Sequence, residues 1–311
     1  MTRIKKNQTR PARRLRMARV LSSVPPVLWV VVLLGFAPAP LRAAEAEPAA
    51  QTLAERTLRR LVEQQRDLFA SAAKQGDNLD EGTFRQQMQS LAHDFELLVR
   101  QNPRYAAAYA AYGYFLSKTD MRKEAAAILL EANRLDPDLA LVKNQLGNLL
   151  AEDGKPLQAA PYFIAAIKLE PKEPLYHYQL GTLLTEARDA FLKAGEWNRD
   201  TLDKAMHEAF RTATELAPDR FEFAYRYAES FYDLEKPDWE AALKLWSALE
   251  DKAPTAIERQ TMRLHAANIC LKLGRPTHAE ALLATVDEPK LQAQKQKLVA
   301  QMPAAVPASN K

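Results

Sequence analysis

The chain has 311 residues, of which 26% are charged and 47% hydrophobic, with 43 Lys and Arg against 39 Asp and Glu. That length supports one or two domains with a substantial core, and nine glycines in 311 residues favour helix. The single cysteine, Cys270, excludes an internal disulfide and any cysteine-rich metal centre.

Residues 1–44 form the first predicted element. Met1 to Arg19 holds eight Lys or Arg and no acid, and the apolar run "VLWVVVLLGF" follows at Val27 to Phe36. Ten apolar residues flanked by Pro25-Pro26 and by Pro38 and Pro40 fall short of the roughly 20 that a membrane helix needs. Alanine-rich residues come next, with Ala44-Glu45-Ala46 as an A-x-A site. A basic start, a short apolar core and a small-residue exit predict a secretory signal peptide, hence a periplasmic or extracellular protein. The alternative is an uncleaved inner-membrane signal anchor, which is the only membrane contact the sequence suggests. Without residues 1–44 the balance is 34 basic to 39 acidic residues, a net charge of about −5. With no basic patch interleaved with aromatics either, a nucleic-acid partner is not expected.

Residues 45–83 are expected to hold a capping helix and a loop. Leu58, Leu61, Val62, Leu68, Phe69 and Ala72 share one helical stripe. Phe84, Met88, Leu91, Phe95 and Leu98 form a second stripe, beyond the connector "QGDNLDEGT". Together they suggest a degenerate end unit, or alternatively a homodimerising helix pair.

From here a long period takes over. Pro103, Pro137 and Pro171 are 34 residues apart; Pro218 and Pro254 follow after 47 and 36. Ten residues past the first four lie Gly113, Gly147, Gly181 and Ala228. Small residues recur at Ala125, Ala159, Ala205 or its neighbour, Ala242 and Ala279, and the aromatics Phe163, Phe210 and Trp246 come before the next proline. A fixed period of this length implies stacked supersecondary units. The small residues let two helices approach closely, and each proline ends the second helix. No strand pattern appears.

These residues carry a resemblance. "QLGNLL…GKPLQAAPYFIAAIKLEP", Gln145 to Pro171, is similar to the 34-residue helix-turn-helix unit of the tetratricopeptide repeat (TPR) family. The resemblance covers residues 84–289 in about five units. The unit after Pro171 carries about 13 extra residues, read as a lengthened first helix and a loop bulging at Gly195-Glu196-Trp197. Trp197 is expected either to sit in a tolerated surface insertion or to anchor a partner as a hot spot. Residues 290–311 should add at most one short helix and otherwise be disordered.

The resemblance implies an all-α, right-handed superhelical solenoid whose first (A) helices line a concave groove. The positions facing that groove include Tyr114, Asn144, Asn148, Tyr178, Thr182, Tyr225, Glu229, Tyr232 and Asn268. Asn can hold both the N–H and the C=O of an extended peptide, and Tyr adds rigid area with a polar tip. The bland reading is a solvated face with ordinary Tyr packing. No Lys and Arg cluster is present of the kind the family uses to clamp a terminal carboxylate.

Catalysis is not expected. His207-Glu208 opens like a zinc-protease helix, but Arg211 stands where the second His belongs. His93, His177, His265 and His278 lack ligand spacing, no Gly-rich phosphate loop occurs, and Cys270 lies on an apolar helix face. No metal or cofactor is implied. The sequence thus predicts an envelope scaffold or adaptor that binds a peptide or protein in its groove. The alternative is a structural component that assembles through its convex face or with itself.

Overall fold

The computed structural model describes residues 52–119 and 121–302; the expected signal segment and the last nine residues lie outside them. Among the described residues there are fourteen α-helices and no strand. They fall into two compact units divided between Asp94 and Phe95.

The first unit holds α1 (Leu53–Gln75), a 3-10 turn at Gly76–Asn78, and most of α2 (Glu81–Gln101). Thr52 and Glu55 form a capping box that satisfies the first amides of α1. Asp80 Oδ1 accepts from the backbone N–H of Gly82 and Thr83 and starts α2 in the same way. Leu58 and Leu61, one turn apart, are the buried apolar residues of α1.

The second unit is a row of helix hairpins. They are α3 (Ala106–Ser117) with α4 (Arg122–Leu135), and α5 (Ala140–Glu152) with α6 (Pro156–Leu169). Next come α7 (Pro174–Glu186), a short α8 (Arg188–Ala194) and α9 (Arg199–Leu216). The last pairs are α10 (Phe221–Ser230) with α11 (Trp239–Lys252), and α12 (Ala256–Lys272) with α13 (Pro276–Ala284). Helix α14 (Gln292–Val299) follows and packs on α12 and α13.

The marks of the period have visible jobs. A Cβ on Gly113 would lie 2.6 Å from Leu129 Cγ, one on Gly147 3.2 Å from the Phe163 ring, and one on Gly181 2.8 Å from the Phe210 ring. Three A helices thus cross their B helices where only glycine fits without adjustment. On the B helices Ala125, Ala159, Ala242 and Ala279 are fully buried. In the third unit Met206, 1% exposed, fills that place while Ala205 is only half-buried. Gly154 and Gly274, both at φ +71°, follow α5 and α12, where a left-handed residue turns the chain into the next helix.

The insertion differs from its expected form. Helix α7 stops at Glu186 rather than lengthening, and α8 starts two residues later, ending at left-handed Gly195 (φ 78°). Phe191 is buried, and it carries α8 onto the core of Ala159, Phe163, Leu183, Leu184, Leu202, Met206 and Phe210. Trp197 is half-buried against the same core. Arg188, at the start of α8, ion-pairs with Asp203 of α9 (2.9 Å) and with Asp233 beyond α10 (2.8 Å). The insertion is bound into the array by apolar packing and by charge.

Candidate partner-binding groove

The expected groove row lies along α3, α5, α7, α10 and α12, with Tyr232 just past the end of α10, and its members differ in what they offer. Tyr114 is half-buried, and Lys118 Nζ stands 5.2 Å from its ring centroid. Asn144 is fully buried. It accepts at Oδ1 from Gln145 Nε2 (3.2 Å) and from Asn148 Nδ2 (3.3 Å), and its own Nδ2 donates to Gln179 Oε1. The Ser117 hydroxyl, which donates to the Tyr114 carbonyl at 2.7 Å, lies 3.3 Å from Gln145 Oε1. Amide hydrogen bonds therefore tie α5 to α7, with the buried Asn144 at their centre. Asn148, half-buried, keeps its Oδ1 without a hydrogen-bond partner among the described residues.

Tyr178 is half-buried, stacked on Phe223 at 4.6 Å and edge-on to Phe210 at 5.7 Å. Burial pushes its hydroxyl above the ordinary phenol value. The Thr182 hydroxyl donates to the Tyr178 carbonyl at 3.0 Å. In the fourth unit Arg226 donates to Glu229 at 2.7 Å and Arg220 to Glu222 at 2.7 Å, so both acids are matched. Tyr225 and Tyr232 have hydroxyls pushed up to about 12, first by burial and then, in part, by the charge of Glu229.

Tyr225, Tyr232 and Asn268 meet around a residue that the sequence did not single out, His265. Its ring lies flat on Trp246, centroids 4.0 Å apart and planes 4° apart, with Tyr225 edge-on at 6.1 Å and Tyr232 at 5.9 Å. Tyr232 in turn contacts Trp239 at 5.7 Å, over which Lys272 Nζ stands at 5.0 Å. Asn268 hydrogen-bonds the Tyr232 hydroxyl, which bonds His265 Nδ1 at 3.2 Å. Burial holds His265 down to about 4, so the ring is neutral at neutral pH. The one available signal was positional. His265 precedes the small crossing residue Ala267 by two, as Gln145 precedes Gly147 and Gln179 precedes Gly181.

The remaining titratable groups are structural. His207 Nδ1 lies 2.8 Å from Ser230 Oγ, and that hydroxyl donates to the Tyr227 carbonyl at 2.7 Å, so the imidazole is the donor. Tyr227 and Phe231 enclose the ring, and burial lowers its pKa. Cys270 is buried, and the same cause raises its thiol. Among the described residues no three His, Cys, Asp or Glu converge as metal ligands, and no helix is long and apolar enough to cross a membrane.

No protein-family model matches the chain, and no curated protein does. Solved structures do. YrrB, described as a TPR protein with an unusual peptide-binding site, is 17% identical over 67% of this chain and 99% of its own, at a TM-score of 0.56. Pseudomonas aeruginosa PilF is 13% identical over 80% of this chain and 99% of its own, at 0.55. PilW, described as a widely conserved type IV pilus biogenesis factor, is 13% identical over 80% and 100%, at 0.52. At these identities the likeness concerns the fold. With the glycine and alanine crossings at their regular spacing, it shows that this chain folds as an all-α tetratricopeptide-repeat solenoid.

Proposed function

We propose that the protein is a non-catalytic interaction scaffold of the cell envelope that holds an extended peptide of a partner along its A helices. One observation carries the reading: the half-buried row Asn148, Tyr178, Tyr225, Glu229, Tyr232 and Asn268, whose rings are fixed by packing. Rigid aromatic area with fixed polar tips binds at low entropic cost. The peptide-binding site named for YrrB belongs to the same fold and accords with this reading. Export rests on the sequence of residues 1–46, and the pilus role named for PilW is in keeping with an envelope setting.

A second reading has its own observation. Leu130 of α4 and Ile164 of α6, 34 residues apart at equivalent places on successive B helices, are 52% and 38% exposed. Assembly through that side would use them. The two readings separate in a capture experiment from envelope extract. Asn148→Ala with Tyr178→Phe removes groove polarity and leaves the ring stack in place; Leu130→Glu with Ile164→Glu alters the other side. Loss of the captured partner in the first variant alone supports groove binding. Loss in the second alone overturns it.

A further inference from the structure

The aromatic cluster of the fourth and fifth units ends in an unused hydrogen-bond donor. Asn268 lies beside the Tyr232 hydroxyl, and its amide N–H placed on that oxygen leaves the O–H to donate elsewhere. The Tyr232 O–H is then directed at His265 Nδ1. A neutral imidazole that accepts at Nδ1 carries its proton on Nε2. Among the described residues His265 Nε2 has no hydrogen-bond partner, and it is not one of the side-chain atoms sealed from solvent. Its N–H therefore leaves the ring on the side away from the Tyr232 hydroxyl, polarised by the bonds behind it.

The charges around it narrow the class of ligand. Glu229 is held by Arg226 and by the Tyr225 hydroxyl, and Glu222 by Arg220. Both of these acids and both arginines are therefore matched, and Lys272 stands over the Trp239 ring at the edge of the cluster. What remains is an aromatic wall with an outward N–H donor, which suits a carbonyl set on an apolar, extended backbone. A proline-containing segment in the polyproline II conformation has that form. It is already extended, has no internal hydrogen bonds, and turns its carbonyls outward. Its prolines bring no N–H to be stranded against the rings. Aromatic-lined grooves recognise such segments by this logic in unrelated folds.

We infer that Tyr225, Tyr232 and His265 form a subsite for a proline-containing, extended partner segment, with His265 Nε2 donating to one of its backbone carbonyls. The inference rests on the groove reading and names the chemistry of its partner. Tyr232 and Asn268 act here as positioning residues, fixing the tautomer of His265.

The test titrates the purified full chain with acetylated, amidated hexaproline. Equally long Gly-Ser and Glu peptides serve as controls, and the histidine ring resonances and tryptophan fluorescence are followed. Hexaproline is expected to give saturable shifts of the His265 ring and to bind better than either control. His265→Phe keeps the stack on Trp246 and loses the donor, so binding should weaken about tenfold. Tyr232→Phe, a lighter change that leaves the packing in place, should weaken it a few-fold. Circular dichroism checks that both variants stay folded. The inference is overturned by absence of a saturable shift, by preference for the Glu peptide, or by unchanged affinity in His265→Phe. If hexaproline fails while Asn148→Ala with Tyr178→Phe still abolishes partner capture, the subsite falls and the groove reading stands.

Discussion

Replacing Gly113 by Ala tests the crossing geometry most directly. The new Cβ would lie 2.6 Å from Leu129 Cγ, 2.8 Å from its Cδ2 and 3.3 Å from its backbone nitrogen. Leu129 is fully buried on α4, so α3 and α4 must part by about an ångström or Leu129 must leave its rotamer. Overpacking of that kind costs about 1–3 kcal/mol, and replacing a mid-helix glycine by alanine returns about 1 kcal/mol. The net expectation is a loss of about 1–2 kcal/mol. Gly147→Ala meets only the edge of the Phe163 ring at 3.2 Å, which a shift of a few tenths of an ångström relieves, so its two terms should nearly cancel. Gly181→Ala, at 2.8 Å from the Phe210 ring, should resemble Gly113→Ala. Guanidinium denaturation followed by far-UV circular dichroism ranks the three. If Gly147→Ala costs as much as Gly113→Ala, the crossings are not set by contact at glycine and the reasoning fails.

Other outcomes follow from named groups. Trp246 is fully buried and its indole N–H has no hydrogen-bond partner. Trp246→Phe should therefore cost about 1–2 kcal/mol, well below the roughly 3–5 kcal/mol of Trp246→Ala, in the same denaturation assay. The folded pKa of His265, about 4, lies below its ordinary 6.5, so the unfolded chain binds more protons between those values. Its contribution to stability is constant above pH 6.5, falls as pH drops from 6.5 to 4, and levels off below, with a ceiling of about 3 kcal/mol. Denaturation at pH 7, 5.5 and 4 should show this loss in the wild type and less of it in His265→Phe; equal pH dependence would remove His265 as the cause. The buried Cys270 thiol should react with an aromatic disulfide reagent only after denaturant is added, and immediate reaction in buffer would contradict its placement. N-terminal sequencing from the native host should begin at residue 44 to 47, whereas a start at Met1 in the soluble fraction would refute export.

The fold was legible because its signals are local and repeated. Pro103, Pro137 and Pro171, 34 residues apart and each with a glycine ten residues later, encode a helix end and a close crossing without reference to the rest of the chain. For the proposed groove, helical spacing says less. Periodicity places Asn144 and Asn148 on one face, but it carries no depth, and the first is buried while the second is half-open. His265 gave little signal because its meaning depends on Trp246, on another helix, and on the Tyr232 hydroxyl. Trp197 was set between an insertion and an anchor, and its half-burial on the core of Phe191 and Phe210 depends on α8, whose separate existence the helical spacing of that segment did not reveal.

The ion pairs of Arg188 bear on how the array comes apart. Stacked repeats touch only their neighbours, so an array of this kind frays from its ends, and each unit is lost as its single interface opens. Arg188 adds a second tie between the third and fourth units, reaching Asp233 past the end of α10 while also holding the buried Asp203. Opening that interface would break the pair with Asp233 and leave Arg188 only its partner within the third unit, the buried Asp203. Under mechanical load applied from the C-terminus, the fifth unit should yield first and the extension should then pause before the fourth detaches. The segment that interrupts the period would serve as a stop, giving a one-dimensional protein an internal boundary between a part that can loosen and a part that holds.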